Sequence, residues 1–309
     1  MYIYFTKMQG LGNDFIVIDN VRYHTTITPA MVRTMADRHF GIGFDQLLLV
    51  EPPELPDIDF NYRIFNHDGS EVAQCGNGAR CFMRFVLQQG LTNKDCIRVK
   101  TRSGVLTLKQ DHTHPDFIAV NMGRPQFDPQ ALPFLPDTAL PDPDQIQTEY
   151  RPYVVQVAGE WLKLYLVSMG NPHAICLQED NTPIHSDRLT RLGQEINQHA
   201  QFPDGVNLSF MTIANAKDIY LQVYERGAGQ TLACGTAACA AVAVAQRYAL
   251  LGISHQISDQ SIQVHLPGGA LYIRQNHQGE IIMTGPANTV FTGRIRLDAA
   301  CINEGCTKE

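Results

Sequence analysis

The chain is short of positive charge and has no basic cluster. Its 24 lysines and arginines are outnumbered by 31 aspartates and glutamates, for a net charge of −7. Nucleic acid and anionic membrane surfaces are therefore poor partners, because neither finds a basic footprint. Long apolar runs are also missing. The most apolar stretch, Ala233 to Leu251, is rich in alanine and broken by Gln246 and Arg247, which predicts a buried helix rather than a membrane span. Met1 leads straight into the alternating Tyr2-Ile3-Tyr4-Phe5, with no basic n-region, apolar core or cleavage site, so no secretion signal is expected and a cytoplasmic protein is predicted. The eight cysteines contain no Cys-x-x-Cys pair. Without an export signal they are expected to be free thiols. The intervals Cys75 to Cys81 and Cys234 to Cys239 are too long for the usual zinc ligands, so no metal is expected. The few lysines, such as Lys7, Lys100 and Lys163, sit in no phosphate-binding loop, which argues against pyridoxal phosphate and leaves the expectation of no cofactor. A small-molecule partner is the default that survives.

What the sequence does have is a duplication. Cys75-Gly76-Asn77-Gly78-Ala79 is answered by Cys234-Gly235-Thr236-Ala237-Ala238, 159 positions later and about half the chain away. Asn66 and Glu225 each precede their cysteine by nine positions. Further upstream, Gly12-Asn13 answers Gly170-Asn171, and Asp45-Gln46-Leu47 answers Val206-Asn207-Leu208, at offsets of 158 and 161. Landmarks in one order at nearly the same offset imply two related halves, and 309 residues with 44% hydrophobic content suffice for two good cores.

Hydrophobic periodicity predicts an α/β (α+β) protein with more strand than helix. Alternating or β-branched runs place strands at Tyr2 to Thr6, Phe15 to Asp19, Leu47 to Glu51, Ile58 to Phe65, Ile97 to Thr101, Gly104 to Gln110 and Phe117 to Asn121. In the second half they fall at Tyr153 to Val157, Leu162 to Ser168, Ala174 to Leu177, Leu208 to Ile213, Ile219 to Glu225, Ile262 to Leu266, Leu271 to Gln275 and Ile281 to Thr284. Two helices begin just after a cysteine: Gly78 to Gln89, stopped by Gly90, and Thr236 to Leu251, stopped by Gly252. Shorter helices are predicted at Pro29 to Asp37, with Thr28 as cap, and at Arg188 to Gln198. The proline-rich, acidic Pro125 to Pro152 reads as the crossing between domains with a surface excursion. The expected division is an N-terminal domain over 1–124 joined by a returning strand over 287–309, and a C-terminal domain over 125–286. Cys81, Cys96, Cys176 and Cys239 are expected to be small buried hydrophobes.

A thiol at a helix N-terminus faces unpaired backbone N–H groups and the positive end of the helix dipole, which favour thiolate. Cys75 and Cys234 are therefore the candidate bases. The same N–H groups form an anion site, and Gly76, Gly78 and Gly235 open it to close approach by a carboxylate. Two such termini facing each other across a cleft would hold an α-amino acid with one thiol on each side of Cα. One cysteine would then take a proton while the other returns one, with the helix N–H groups stabilising the enolate-like carboxylate.

The chain resembles the diaminopimelate epimerases over nearly its whole length. The carriers are Lys7 through Phe15, Gly41-Ile42-Gly43-Phe44-Asp45-Gln46-Leu47, Asn66 through Asp68-Gly69-Ser70-Glu71 to Cys75-Gly76-Asn77-Gly78-Ala79-Arg80, Met169-Gly170-Asn171-Pro172-His173, Gly205-Val206-Asn207, and Glu225-Arg226-Gly227 through Thr231 to Ala233-Cys234-Gly235-Thr236. The resemblance implies two pseudo-symmetric domains, each a β-barrel-like sheet around a central helix, with diaminopimelate in the cleft between them. It implies cofactor-independent interconversion of the LL and meso isomers, an isomerase step in lysine and peptidoglycan precursor biosynthesis. By the same resemblance Cys75 and Cys234 are the acid/base pair, and Gly76, Asn77, Gly235 and Thr236 hold the reacting carboxylate. Asn13, Gln46, Asn66, Asn171, Asn207, Glu225 and Arg226 line the rest, and His173 and Glu225 adjust the thiol pKa values. A homodimer, with Phe291 as the candidate contact, is likewise implied. His67 and Ala73 depart from the family pattern.

Two alternatives stand beside this reading. Proline or hydroxyproline racemases and phenazine-pathway isomerases resemble the same duplicated architecture, and the array Arg226, Asn171 and Asn207 discriminates, since a substrate without a distal amino-acid group does not need it. A thiol-disulfide oxidoreductase would use Cys75 and Cys234 as a functional disulfide, against which the missing Cys-x-x-Cys speaks.

Overall fold

The computed structural model describes residues 1–73, 75–112, 114–135, 140–141, 152–178, 182–251 and 260–297. The chain divides into two compact units. The first holds Met1–Asn121 and the chain from Thr284 onwards, and the second holds Met122–Met283.

The first unit runs β1 (Tyr2–Gly10), β2 (Asn13–Asp19), α1 (Asn20–Tyr23), α2 (Pro29–Ala36), β3 (Gln46–Glu51), β4 (Phe60–Asn66), β5 (Glu71–Val72), α3 (Gly76–Gln88), β6 (Cys96–Thr101), β7 (Gly104–Gln110) and β8 (Phe117–Asn121). The terminal strand Asn288–Arg296 lies antiparallel to β1. β1 and β2 are antiparallel, β2 and β3 parallel, β3 and β4 antiparallel, β4 and β6 parallel, and β6, β7 and β8 antiparallel in turn. Between its neighbours β3 is covered on both faces, so Leu47 to Val50 are all buried. That continuous apolar run is what a parallel pairing inside a packed sheet demands. Thr28 caps α2 through Met31 N–H at 3.3 Å, as its sequence position predicts.

The second unit runs β9 (Leu140–Pro141), β10 (Tyr153–Val157), β11 (Glu160–Ser168), β12 (Pro172–Leu177), α4 (Ser186–Ile196), β13 (Asn207–Asn215), β14 (Asp218–Glu225), β15 (Gly229–Gln230), α5 (Gly235–Arg247), β16 (Ile262–Leu266), β17 (Gly269–Gln275) and the first half of β18 (Ile281–Pro286), whose second half belongs to the first unit. Its pairing repeats the first unit. β11 and β12 are antiparallel, β12 and β13 parallel, β13 and β14 antiparallel, β14 and β16 parallel, and β16 and β17 antiparallel. α2 and α4 occupy matching crossovers, as do α3 and α5. The duplicated landmarks are thus the trace of one topology used twice.

Each long helix is enclosed by its own sheet. α3 touches β1, β2, β3, β7 and β8, and α5 touches β11, β12, β13, β14 and β17. Every residue from Gly76 to Met83 and from Ala237 to Ala245 is buried. A helix with no solvent face must be apolar or small all round, which accounts for the alanines of α5.

Four expectations need correction. α5 ends at Arg247 rather than Leu251, because Ala249 takes a left-handed φ of 53° and the chain leaves the helix there. Ala249 N–H bonds Gln246 C=O and Leu250 N–H bonds Ala245 C=O, a Schellman closure. Gly90 (φ 62°) makes the same closure on α3, also 159 positions earlier. Gly252 lies outside the described residues. A left-handed alanine costs more than a glycine there, so Ala249→Gly is expected to raise unfolding free energy by roughly 0.5–1 kcal/mol in chemical denaturation. Second, Cys96 is exposed, since in β6 it shares the outward face with Arg98 while Ile97 and Val99 point inward. Third, the stretch after Pro125 is no mere surface excursion. Leu132 and Phe134 are buried in the core of the second unit, where Phe134 meets Tyr153 and Phe202 at ring distances of 4.7 and 5.0 Å. The rest of that segment, residues 136–139 and 142–151, lies outside the described residues, as do Cys301, Cys306 and the tail from Asp298. Fourth, packing by itself is enough to require Gly78, because a Cβ there would stand 2.4 Å from Tyr62 Oη.

Candidate active site

In the first unit Cys75 is the N-cap of α3, with extended backbone (φ −148°, ψ 112°). Its carbonyl accepts the first helical bond from Ala79 N–H at 2.8 Å, and its Sγ accepts Gly78 N–H at 3.3 Å. A sulfur that accepts a helix N–H occupies the place of a capping oxygen, the geometry that favours negative charge on it. Cys75 is half-buried.

Asn13 opens β2 directly after a tight turn in which both Leu11 (φ 58°) and Gly12 (φ 87°) are left-handed. That two-residue hairpin, which Leu11 enters at some strain, aims the Asn13 side chain at α3. Its Oδ1 accepts from Asn77 Nδ2 at 3.5 Å. Gln46 and Asn66 face each other across β3 and β4, and Gln46 Nε2 donates to Asn66 Oδ1 at 3.0 Å. The first unit therefore brings together Cys75, Asn77 and Asn13, and separately pairs Gln46 with Asn66.

In the second unit Cys234 is the N-cap of α5 (φ −116°, ψ 109°), and its carbonyl accepts Ala238 N–H at 3.1 Å. Its Sγ lies 3.4 Å from the Thr236 hydroxyl, which also accepts Asn171 Nδ2 at 3.3 Å. Asn171 Oδ1 stands 3.1 Å from His173 Nε2. An amide oxygen only accepts, so Nε2 carries the hydrogen and the buried Nδ1 has no partner among the described residues. Asn207, opposite His173 in the parallel register of β12 and β13, donates to Pro172 C=O at 3.1 Å and accepts Arg226 N–H at 2.8 Å. Arg226 is exposed and donates through Nη1 to Asp204 C=O at 2.6 Å, while the Glu225 carboxylate accepts from the Thr231 hydroxyl. Seven of the sequence candidates, from Asn171 to Thr236, thus converge around Cys234.

The two thiols have different surroundings. Burial first, and the Glu225 carboxylate second, push the Cys234 thiol well above its ordinary range, outweighing the Thr236 hydroxyl and the Ala237 N–H that favour thiolate. The expectation that the helix terminus alone lowers both thiols is therefore wrong for Cys234, which is 4% exposed. Burial, with Arg226 as a second cause, brings His173 down to about 3, so its ring is neutral near pH 7. At pH 7.5 iodoacetamide is expected to modify Cys75 at least about tenfold faster than Cys234 by peptide mass spectrometry, because only the thiolate is nucleophilic.

Comparison with known proteins now decides the family. The diaminopimelate epimerase family model matches residues 5–128 and 165–290. The chain belongs to the diaminopimelate epimerase family. A diaminopimelate epimerase of Psychrobacter sp. (strain PRwf-1) is 47% identical over 305 residues, covering 99% of this chain and 98% of that protein. The fold is shared more widely. A phenazine biosynthesis protein of Bacillus anthracis superposes with a TM-score of 0.66 at 15% identity, covering 96% of this chain and 100% of the other. A probable proline racemase of Agrobacterium radiobacter K84 also gives 0.66 at 15% identity, covering 97% and 95%. Both helix-capping cysteines of this chain lie inside the matched ranges. Among the described residues no helix is long and apolar enough to cross a membrane, and no cluster of metal-ligating side chains occurs.

Three residues around the half-sites escape sequence reasoning. Tyr62 donates to Cys75 C=O at 3.5 Å, Asp45 accepts from Asn13, and Arg80 donates to Asn77. Asp45 and Arg80 stand inside the recognised motifs, but nothing in the motifs assigns them a partner.

Proposed function

We propose that this chain is an isomerase that interconverts LL- and meso-diaminopimelate without a cofactor, using Cys75 and Cys234 as a two-base pair. The observation that carries the reading is the duplicated half-site: in each unit a cysteine caps the N-terminus of the enclosed helix, in a family whose members carry that activity in their name. Each unit contributes one thiol to the reaction. Gly76, Asn77, Gly235 and Thr236 hold the reacting carboxylate against the two helix N-termini. Asn13, Gln46, Asn66, Asn171 and Asn207 hold the distal amino-acid group, with Arg226 on its carboxylate and Glu225 on its ammonium.

In the direction where Cys75 acts as base, its thiolate removes the Cα proton and becomes a thiol. The electron pair moves into the carboxylate, whose enolate-like oxygens are met by helix N–H groups. Cys234, kept protonated by burial and Glu225, gives its proton to the opposite face and becomes the thiolate. No net proton is gained or lost, and the inverted pair is ready for the reverse reaction. His173 stays neutral, and through Asn171 and Thr236 it orients the hydroxyl beside Cys234.

The reading extends to a cytoplasmic homodimer. Phe291 on the terminal strand, packed edge-on against Phe5, is about half exposed and is the apolar surface that a second copy would cover. Light scattering should give a dimer for the wild type and a monomer for Phe291→Asp; a monomeric wild type removes the dimer. The deciding experiment for the activity is incubation of the reduced protein with LL-diaminopimelate in D₂O. Meso product carrying deuterium at the inverted centre is expected. Absence of both exchange and inversion, followed by turnover of proline or hydroxyproline, would transfer the chain to the racemase reading.

A further inference from the structure

A chain of side-chain amides in the first unit has an ion at each end. Asp45 Oδ2 accepts from Asn13 Nδ2 at 2.8 Å, Asn13 Oδ1 accepts from Asn77 Nδ2 at 3.5 Å, and Asn77 Oδ1 accepts from Arg80 Nη1 at 2.9 Å. A carboxylate only accepts and a guanidinium only donates. The Asn13 atom facing Asp45 must therefore be nitrogen, and the Asn77 atom facing Arg80 must be oxygen. Both ends impose the same direction on the chain, and the contact between the two amides agrees with both. The orientation of each amide thus follows from chemistry.

Both ends are themselves anchored. Arg80 is fully buried on the second turn of α3 and also donates through Nε to Pro286 C=O at 3.1 Å. Asp45 takes the Asp14 N–H at 3.1 Å and the Arg38 guanidinium at 2.9 Å. Arg38 binds Asp14 through a second nitrogen, and Lys7 reaches Asp14 at 2.6 Å and the Gly43 carbonyl. Burial would raise Asp14, but Arg38 and Lys7 outweigh it and bring its carboxyl to about 2, so Asp14 stays ionised.

We infer that Asp45 and Arg80 are positioning residues that set the amide direction of Asn13 and Asn77, so that Asn13 presents an N–H group to an anionic ligand at the Cys75 half-site. Asn13 gives one N–H to Asp45 and keeps its second for a ligand carboxylate. With the chain reversed, its carbonyl would meet that carboxylate and repel it. The ions thereby select for an acceptor on the ligand without touching it. This inference rests on the proposed reaction with diaminopimelate.

The test compares two variants that both injure the ion cluster. Asp45→Asn keeps shape but allows donation, so Asn13 is free to turn; Arg38→Met weakens the cluster but leaves the Asp45 acceptor facing Asn13. Asp45→Asn is expected to raise KM for LL-diaminopimelate at least about tenfold with kcat changed less than about threefold, as lost binding common to ground and transition states requires. Arg38→Met should lose thermal stability to a similar extent while KM rises less than about threefold. Arg80→Gln, whose amide can face Asn77 either way, should repeat the Asp45→Asn pattern and Arg80→Lys, still only a donor, should restore KM. Equal KM for all four variants, or KM that merely tracks melting temperature, overturns the inference. Wild-type protein inactive on diaminopimelate would instead count against the proposed function, so the two failures are distinguishable.

Discussion

Cys234→Ser is expected to lower interconversion by about three orders of magnitude, within the range that a positioned acid or base contributes. Serine keeps the shape of the helix cap, so the loss reports acidity and not folding. A hydroxyl is a far weaker acid than a thiol, and burial with a neighbouring carboxylate, which already pushes the thiol up, would push the hydroxyl further. The variant also separates the half-reactions. Cys75 retains its Gly78 N–H bond and can still remove and return a proton on its own face. One isomer should therefore wash its Cα hydrogen into D₂O without inverting, and Cys75→Ser should show the same behaviour with the other isomer. Near-native inversion by either serine variant would end the two-thiol mechanism.

The second large effect is on stability against pH. His173 has a folded pKa near 3, depressed from 6.5 by burial and Arg226. The unfolded chain then binds the proton that the folded one refuses, so stability is full above about pH 6.5 and falls as the solution is acidified. The slope is about 1.4 kcal/mol per pH unit, or about 2 kcal/mol lost by pH 5. Asp14 works in a separate window. Its folded value of about 2 lies below the ordinary 3.8, so its contribution is present above about pH 4 and is lost only below that. Urea unfolding between pH 7 and 5 should thus report His173 alone of these two groups. His173→Gln keeps a donor toward Asn171 and has no ring to protonate. It should start about 1–2 kcal/mol less stable, from imperfect packing, and show a flat profile over the same range. An unchanged slope in the variant would assign the acid sensitivity elsewhere.

Both predictions join local features that the sequence makes legible to surroundings that it does not. Strand alternation, helix caps and the repeat act over a few residues or at a fixed offset, so Thr28 at its cap and Cys75 and Cys234 at theirs are readable in one dimension. So was the family, because its motifs are short and lie in one order. Where the reading failed, distance in sequence was the cause. The packing need for Gly78 is not legible, because its clash with Tyr62, sixteen positions earlier, is invisible along the chain. The end of α5 was placed at a glycine because glycine is the usual closing residue, whereas Ala249 takes the left-handed turn.

The amino-acid sequence by itself determined that two homologous halves would each enclose a helix headed by a cysteine, since periodicity, capping and duplication are written locally. Only the tertiary structure decided how those groups behave. The Cys234 proton depends on how completely the helix is wrapped and on a carboxylate from another strand, and the neutrality of His173 depends on burial beside Arg226. The direction of the Asn13 and Asn77 amides depends on ions at Asp45 and Arg80, brought together from three separate segments. Desolvation and long-range contacts set protonation and orientation, and neither exists until the chain has folded.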